Sequence, residues 1–184
     1  FILKPSDRNP SAPEFIIKLM NEAGFPKGVV NLINGGAETV NQLLSHDDVD
    51  AVSFVGSTPV AKHIYESGTA GGKRVQALGG AKNHMVVLPD ADIDLAADSA
   101  VSAAYGSAGE RCMAISVVVV VGEVAEPLVK AISDRIDNLK IGPGMQPDSE
   151  MGPLISEEHR SRVVDYINSG QAEGATVVCD GRMH

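Results

Sequence analysis

The sequence predicts an α/β fold built on an open parallel sheet, and three observations predict it. Short apolar runs alternate with stretches whose apolar residues recur at helical spacing. The connections between them are short, which for parallel strands means right-handed helical crossovers. The runs themselves are nearly continuously apolar, as strands covered on both faces should be. The 184 residues are 43% hydrophobic, enough to bury one sizeable core or two lobes sharing an interface. Charged residues make up 21%, so the chain is globular rather than disordered.

Phe1–Leu3 reads as the first strand and Lys4-Pro5-Ser6-Asp7 as a turn. Ser11-Ala12-Pro13-Glu14 predicts a helix start, with Ser11 as N-cap, a proline in the first turn and Glu14 three residues on. Phe15, Ile16, Leu19, Met20 and Ala23 keep helical spacing until Gly24 stops the helix. Val29–Ile33 is the next strand, followed by Asn34-Gly35-Gly36, and Val40, Leu43 and Leu44 mark a second helix. Ala51–Val55 is a strand running into Gly56-Ser57-Thr58-Pro59. Val60, Ile64 and Tyr65 continue as a third helix ending at Gly68, and Lys73–Leu78 is the fourth strand. Gly79-Gly80 breaks this alternation and sets the expected boundary between a lobe of residues 1–80 and one of residues 81–184.

In the second lobe Met85–Leu88 is a strand, and Pro89-Asp90-Ala91-Asp92 caps an Ala-rich helix over Ile93–Tyr105. Gly106-Ser107-Ala108-Gly109 opens a loop carrying Glu110-Arg111-Cys112, and Ile115–Val121 reads as a fully buried strand. Leu128, Ile132 and Ile136 form another helix, Ile141-Gly142-Pro143-Gly144 a loop, Ser156-Glu157-Glu158 the start of a helix through Ile167, and Ala175–Cys179 the last strand. The abrupt apolar start at Phe1 and the end just after a strand suggest a piece of a longer protein.

Fifteen basic against 24 acidic residues give a net charge of −9, which argues against sequence-independent nucleic-acid binding. Residues 1–80 hold seven basic and eight acidic groups, residues 81–184 eight and sixteen, so the first lobe is the easier home for an anionic ligand. The apolar run Ile115–Val121 is far shorter than the roughly 20 residues that cross a bilayer. No basic-plus-apolar signal pattern opens the chain, and a bacterial cytoplasmic location is the default expectation, with the mitochondrial matrix second. Two cysteines, Cys112 and Cys179, could form at most one bridge, and they lack metal-ligand spacing.

Gly56-Ser57-Thr58 lies between a strand and a helix, where free N–H groups and the helix dipole suit a phosphate. It is not a G-x-G-x-x-G turn, and taken alone such a turn is more often plain N-capping. Lys4 also follows a strand, and ligands of open α/β sheets bind beyond the carboxyl ends of strands. The small residues around Cys112 let a substrate approach the backbone, and Arg111 beside it favours a thiolate. An inert buried thiol remains the other reading of Cys112 from composition alone. Cys179, in an apolar run, reads as structural.

Taken in order, Phe1-Ile2-Leu3-Lys4-Pro5-Ser6-Asp7, Gly24-Phe25-Pro26-Lys27-Gly28-Val29-Val30-Asn31, Ser53-Phe54-Val55-Gly56-Ser57-Thr58, Leu78-Gly79-Gly80, Gly109-Glu110-Arg111-Cys112, and Gly142-Pro143 with Gly152-Pro153-Leu154-Ile155 form a set. With these motifs in register the chain resembles the aldehyde dehydrogenase superfamily over essentially its whole length. Val75-Gln76-Ala77-Leu78-Gly79-Gly80-Ala81-Lys82-Asn83-His84 and the residues around Cys112 are most similar to its CoA-acylating, methylmalonate-semialdehyde branch. Hydrolytic members usually place a water-activating Glu directly before Leu-Gly-Gly; here Ala77 stands there.

The resemblance implies a Rossmann-like NAD-binding part over residues 1–80 and part of an α/β catalytic domain over residues 81–184. It implies Cys112 as nucleophile and Arg111 as the candidate clamp for a substrate carboxylate, with an equal reading of Arg111 as a structural arginine. It also implies Lys4 at the adenosine ribose, Asp7 where the family usually has Glu, and Arg8 at the adenosine end. Ser57 falls near the pyrophosphate and Gly79 near the nicotinamide. Ala61 replaces a Gly often found in the family. The implied cofactor is NAD, the co-substrate CoA, the substrate a semialdehyde and the assembly a homo-oligomer, dimer or tetramer. No metal, nucleic acid or membrane is expected. The family's oxyanion-hole Asn and nicotinamide-ribose Glu fall outside residues 1–184, so the isolated segment is expected to be inactive. A hydrolytic dehydrogenase using another base, Glu110 being the suspect, and an inert fragment are the alternatives.

Overall fold

The computed structural model describes residues Phe1–Met183. They divide into two compact units, Phe1–Gly80 and a second beginning at Ala81. The first unit runs β1 (Ile2–Leu3), α1 (Ser11–Glu22), β2 (Asn31–Leu32), α2 (Ala37–Ser45), β3 (Ala51–Val55), α3 (Thr58–Ala70) and β4 (Arg74–Leu78). The second runs β5 (Asn83–Val87), α4 (Ile93–Tyr105), β6 (Ile115–Val120), α5 (Ala125–Asp137) and α6 (Glu157–Ala172).

Every pairing between these strands is parallel, as helical crossovers require. The strands pair two by two, β1 with β2, β3 with β4 and β5 with β6, rather than forming one continuous sheet of four in the first unit. In the middle pair Ala51 lies opposite Arg74 and Val55 opposite Leu78. Exposure alternates along β3 and β4, so Val52, Phe54, Val75 and Ala77 share the half-buried face while Val55 and Leu78 stand open. Nor is β6 fully buried, since Val119 remains 43% exposed. Nearly continuous apolar runs predict cover on both faces, but in β3 and β4 the described residues cover only one.

Gly68 lies inside α3 rather than ending it, and the reason is packing. A Cβ there would sit 2.6 Å from Val75 Cγ2 of β4 and 3.6 Å from Leu44 Cδ2 of α2. Only glycine lets the helix lie that close to the strand. Ile64, one turn earlier, is fully buried against the same side.

In the second unit Ala96 and Ala97 of α4 form a buried cluster with Val87 of β5 and Leu128 of α5. Small side chains on α4 allow this close approach, and the Asp92 carboxylate caps its start by accepting from the Leu95 N–H at 3.0 Å. Arg135 of α5 ties the outer edge, its guanidinium 2.5 Å from Asp98 Oδ1 and 3.2 Å from Asp94 Oδ1. Those two hydrogen bonds hold the Arg135 pKa above its ordinary value.

Two further expectations need correction. Ser11 is the first residue of α1, not its cap: Pro10 takes the cap position, the Glu14 N–H donates to Pro10 O, and the Glu14 carboxylate instead accepts from Asn34 Nδ2 at 2.8 Å. Residues 175–179 are not a strand, because no neighbouring strand pairs with them among the described residues; the Ala175 N–H closes the end of α6 on Gly170 O. No helix among the described residues is long and apolar enough to cross a membrane.

Candidate functional site

In the first unit the candidate residues lie at strand ends, Lys4, Asp7 and Arg8 after β1, Ser57 after β3 and Gly79 after β4. Lys4, half-buried, follows β1, and its ammonium donates to the carbonyls of Pro5 and Gly35, the latter at 2.6 Å. An ammonium has three N–H donors, so one remains for a ligand. Asp7 reaches the same turn: a Cβ on Gly36 would lie 3.8 Å from Asp7 Oδ2. The turn after β2 is therefore flanked by one cation and one carboxylate. Arg8, the next residue, is exposed, and its N–H donates to Ser6 Oγ at 3.3 Å.

Ser57 sits at the N-cap of α3 with extended backbone, at the carboxyl end of β3. Its side chain makes no capping hydrogen bond, so the N–H groups of the first turn are not closed by it. Thr58 performs a different task, accepting from the Gly80 N–H at 2.9 Å. A Cβ on Gly79 would lie 3.0 Å from Thr58 Oγ1, so Gly79 presses against the start of the same helix. This latch was not legible in the sequence, where Thr58 is an ordinary first-turn residue. Ala77, two residues before Gly79 on β4, shares the helix-covered face and carries no group able to activate water. The open depression beside α2 and α3, lined by Asn41, His63, Ser67 and Lys73 among others, includes none of the candidate residues.

In the second unit Cys112 is exposed, and both cysteines are free thiols. The chain reaches Cys112 through a single turn of 3₁₀ helix, Gly106–Gly109, with unusual backbone. Ser107 (φ 55°) and Ala108 (φ 53°) are the only non-glycine residues with positive φ among the described residues, and Gly109 follows at φ 73°. Left-handed backbone costs roughly 1–2 kcal/mol per non-glycine residue. Three in succession make a left-handed turn, and Glu110, Arg111 and Cys112 after it are exposed. The Glu110 N–H closes the turn on Ser107 O at 3.0 Å, and the Ala114 N–H donates to Arg111 O at 3.1 Å.

The side chains around Cys112 are held in place by named partners. The Arg111 guanidinium lies over Gly106, where an added Cβ would come within 3.0 Å of Nη1. Glu110 Oε1 lies 3.3 Å from His159 Nε2 in the first turn of α6, so that carboxylate already has a partner. Asn83, the first residue of β5, donates through Nδ2 to Cys112 O at 2.9 Å and to Ala114 O at 3.0 Å. Asn83 and His159 are contacts that sequence reasoning missed. Each is remote along the chain from Cys112, and only folding brings it there. Cys179, partly buried, raises the Tyr105 pKa as a second cause after burial of the phenol.

The arrangement offers a strand-end cation and a helix N-terminus in one unit, and an exposed thiol after a left-handed turn in the other. Comparison with known proteins shows the family of the chain. The family model described as aldehyde dehydrogenase family matches residues 1–184. Malonate-semialdehyde dehydrogenase 1 of Oceanobacillus iheyensis is 53% identical over 182 residues, 99% of this chain and 37% of that protein. Among solved structures, methylmalonate-semialdehyde dehydrogenase of Oceanimonas doudoroffii superposes with a TM-score of 0.95 at 52% identity, covering 99% of this chain and 38% of that one. Betaine aldehyde dehydrogenase of Staphylococcus aureus, in complex with NAD+, does so with a TM-score of 0.90 at 36% identity, covering 97% of this chain and 36% of that one. The chain thus spans a little over a third of the length of these relatives.

Proposed function

The chain belongs to the aldehyde dehydrogenase family, and on that footing we propose that it is part of an NAD-dependent, CoA-acylating dehydrogenase of malonate or methylmalonate semialdehyde. The product would be acetyl-CoA or propionyl-CoA, with loss of CO2. The observation that carries the reading is the exposed Cys112 at the exit of a left-handed turn, in a chain half identical to proteins named for these substrates.

The residues present fit a dinucleotide. Lys4 keeps one ammonium hydrogen for a ribose hydroxyl, with Asp7 beside the same turn and Arg8 next to it. The first turn of α3, not capped by the Ser57 side chain, suits a pyrophosphate. Gly79, pressed on Thr58, keeps the backbone low where a nicotinamide would pass. When bound, NAD supplies the acceptor for the aldehyde hydride.

The chain's own chemistry centres on Cys112. Its thiolate adds to the aldehyde carbon, and the carbonyl electron pair moves to oxygen. The Cys112 N–H donates to that oxyanion. Collapse of the adduct with loss of hydride leaves an acyl-cysteine. The substrate carboxylate then departs as CO2, the carbon it leaves takes a proton, and the CoA thiol displaces Cys112 while losing its own proton. Arg111 holds the substrate carboxylate until that step, since a guanidinium matches carboxylate geometry. Ala77 stands where hydrolytic members of the family usually carry a water-activating Glu and offers no base, and Glu110 is engaged by His159.

The test is product analysis with the complete protein, each semialdehyde and NAD, with and without CoA. Rapid acyl-CoA formation with CoA, slow free acid without it, and loss of both in Cys112→Ala are expected. Fast free acid without CoA would replace this reading with a hydrolytic one.

A further inference from the structure

We propose that Asn83 is the positioning residue of the thiol turn: its carboxamide holds the Cys112 and Ala114 carbonyls and so fixes where the Cys112 N–H and thiol point. The proposal rests on the reading of Cys112 as the nucleophile. A carboxamide has two N–H donors, and Asn83 uses its Nδ2 group on these two carbonyls, at 2.9 and 3.0 Å.

The sheet explains why a side chain is needed there. Asn83 pairs with Ile115, but its neighbour His84 pairs with Val117, so the register slips and Ser116 is left without a partner. Such a bulge bends the strand and re-aims a side chain. Beyond Asn83 the strand ends, and no backbone N–H of β5 continues the ladder towards Cys112. The amide of Asn83 takes over that role. Its hydrogen bonds clamp the chain after the thiol, while the left-handed turn and its Glu110-to-Ser107 bond clamp the chain before it. Cys112 is exposed and so has little packing to hold it; these hydrogen bonds hold it instead.

The experiment compares Asn83→Ala and Asn83→Asp with the unsubstituted complete protein. Asp keeps the shape and removes both donors, so it guards against a cavity effect. Two readouts are taken: steady-state NADH formation per titrated thiol, and hydrogen exchange along the chain. A displacement of about 1 Å near a reacting atom can cost on the order of 10²-fold. The expected result is therefore a kcat lower by about 10²-fold in both variants, with KM for the aldehyde in its original decade. Faster exchange should be confined to residues 110–116, with β5 and β6 beyond the bulge protected as before. An unchanged kcat in both variants overturns the proposal. So does loosening of the whole β5–β6 pair to the same degree, which makes Asn83 a plain structural strut. If the unsubstituted protein oxidises neither semialdehyde, the proposed function fails, and the confined or general loosening still decides the role of Asn83.

Discussion

Lys4 illustrates how one side chain can be structural and available at once. Two of its ammonium hydrogens go to the Pro5 and Gly35 carbonyls, which lock the end of β1 to the turn after β2. The third is directed by the other two, so a ligand hydroxyl meets a donor that has already lost its freedom. A charge-assisted hydrogen bond contributes about 1.5–3 kcal/mol, so Lys4→Ala should raise the NAD Kd by about one to two decades. Titration of the complete protein by fluorescence or calorimetry checks this. An unchanged Kd with a collapsed turnover would remove Lys4 from the nucleotide site. At Asp7, one methylene shorter than the Glu usual in the family, the carboxylate still reaches the vicinity of Gly36.

At the scale of elements, α3 is fastened to β4 at both ends of the strand. Gly68 meets Val75 near its start, and Thr58 meets Gly79 and Gly80 just beyond its finish. Gly68→Val should therefore destabilise the complete protein by about 1–3 kcal/mol through overpacking. Val75→Ala should recover part of that loss by making room, a coupling read from urea midpoints of the two single variants and the double. Simple additivity would mean the helix can shift away cheaply. Elements with a strong period and a clear cap were legible from sequence: β3 over Ala51–Val55, and α4 over roughly Ile93–Tyr105 behind the Pro89-Asp90-Ala91-Asp92 turn, of which Asp92 is the cap. Gly68 was read as a helix end because glycine usually breaks helices, whereas here its lack of a side chain serves a neighbour 2.6 Å away. Ala175–Cys179 has strand-like composition but no partner, and pairing cannot be read from one segment. The glycines before Cys112 marked a turn; its left-handed course through Ser107 and Ala108 carries no local signal, since neither residue favours that backbone. Asn83 and His159 join the turn only through the β5–β6 pairing and the placement of α6.

Over the whole molecule, apolar surface is left open. Val55 is 64% exposed, Leu78 51%, Val86 60% and Leu88 53%, and α1 buries no residue at all, with Phe15 59% exposed. Large apolar side chains left open within each unit favour association, and among the described residues each two-stranded pair also presents two unpaired edges. The 184-residue segment produced alone should bind an apolar fluorescent dye strongly and associate as its concentration rises, whereas the complete protein should do neither beyond its own assembly. Sedimentation velocity over a concentration series measures this, and a monodisperse, dye-silent segment would contradict it. The parallel pairing has a consequence for synthesis on the ribosome. Each strand pairs with the very next strand in the chain, β1 with β2, β3 with β4, β5 with β6. None of these pairs waits for a segment translated much later, so each can close behind its own crossover helix as the nascent chain emerges.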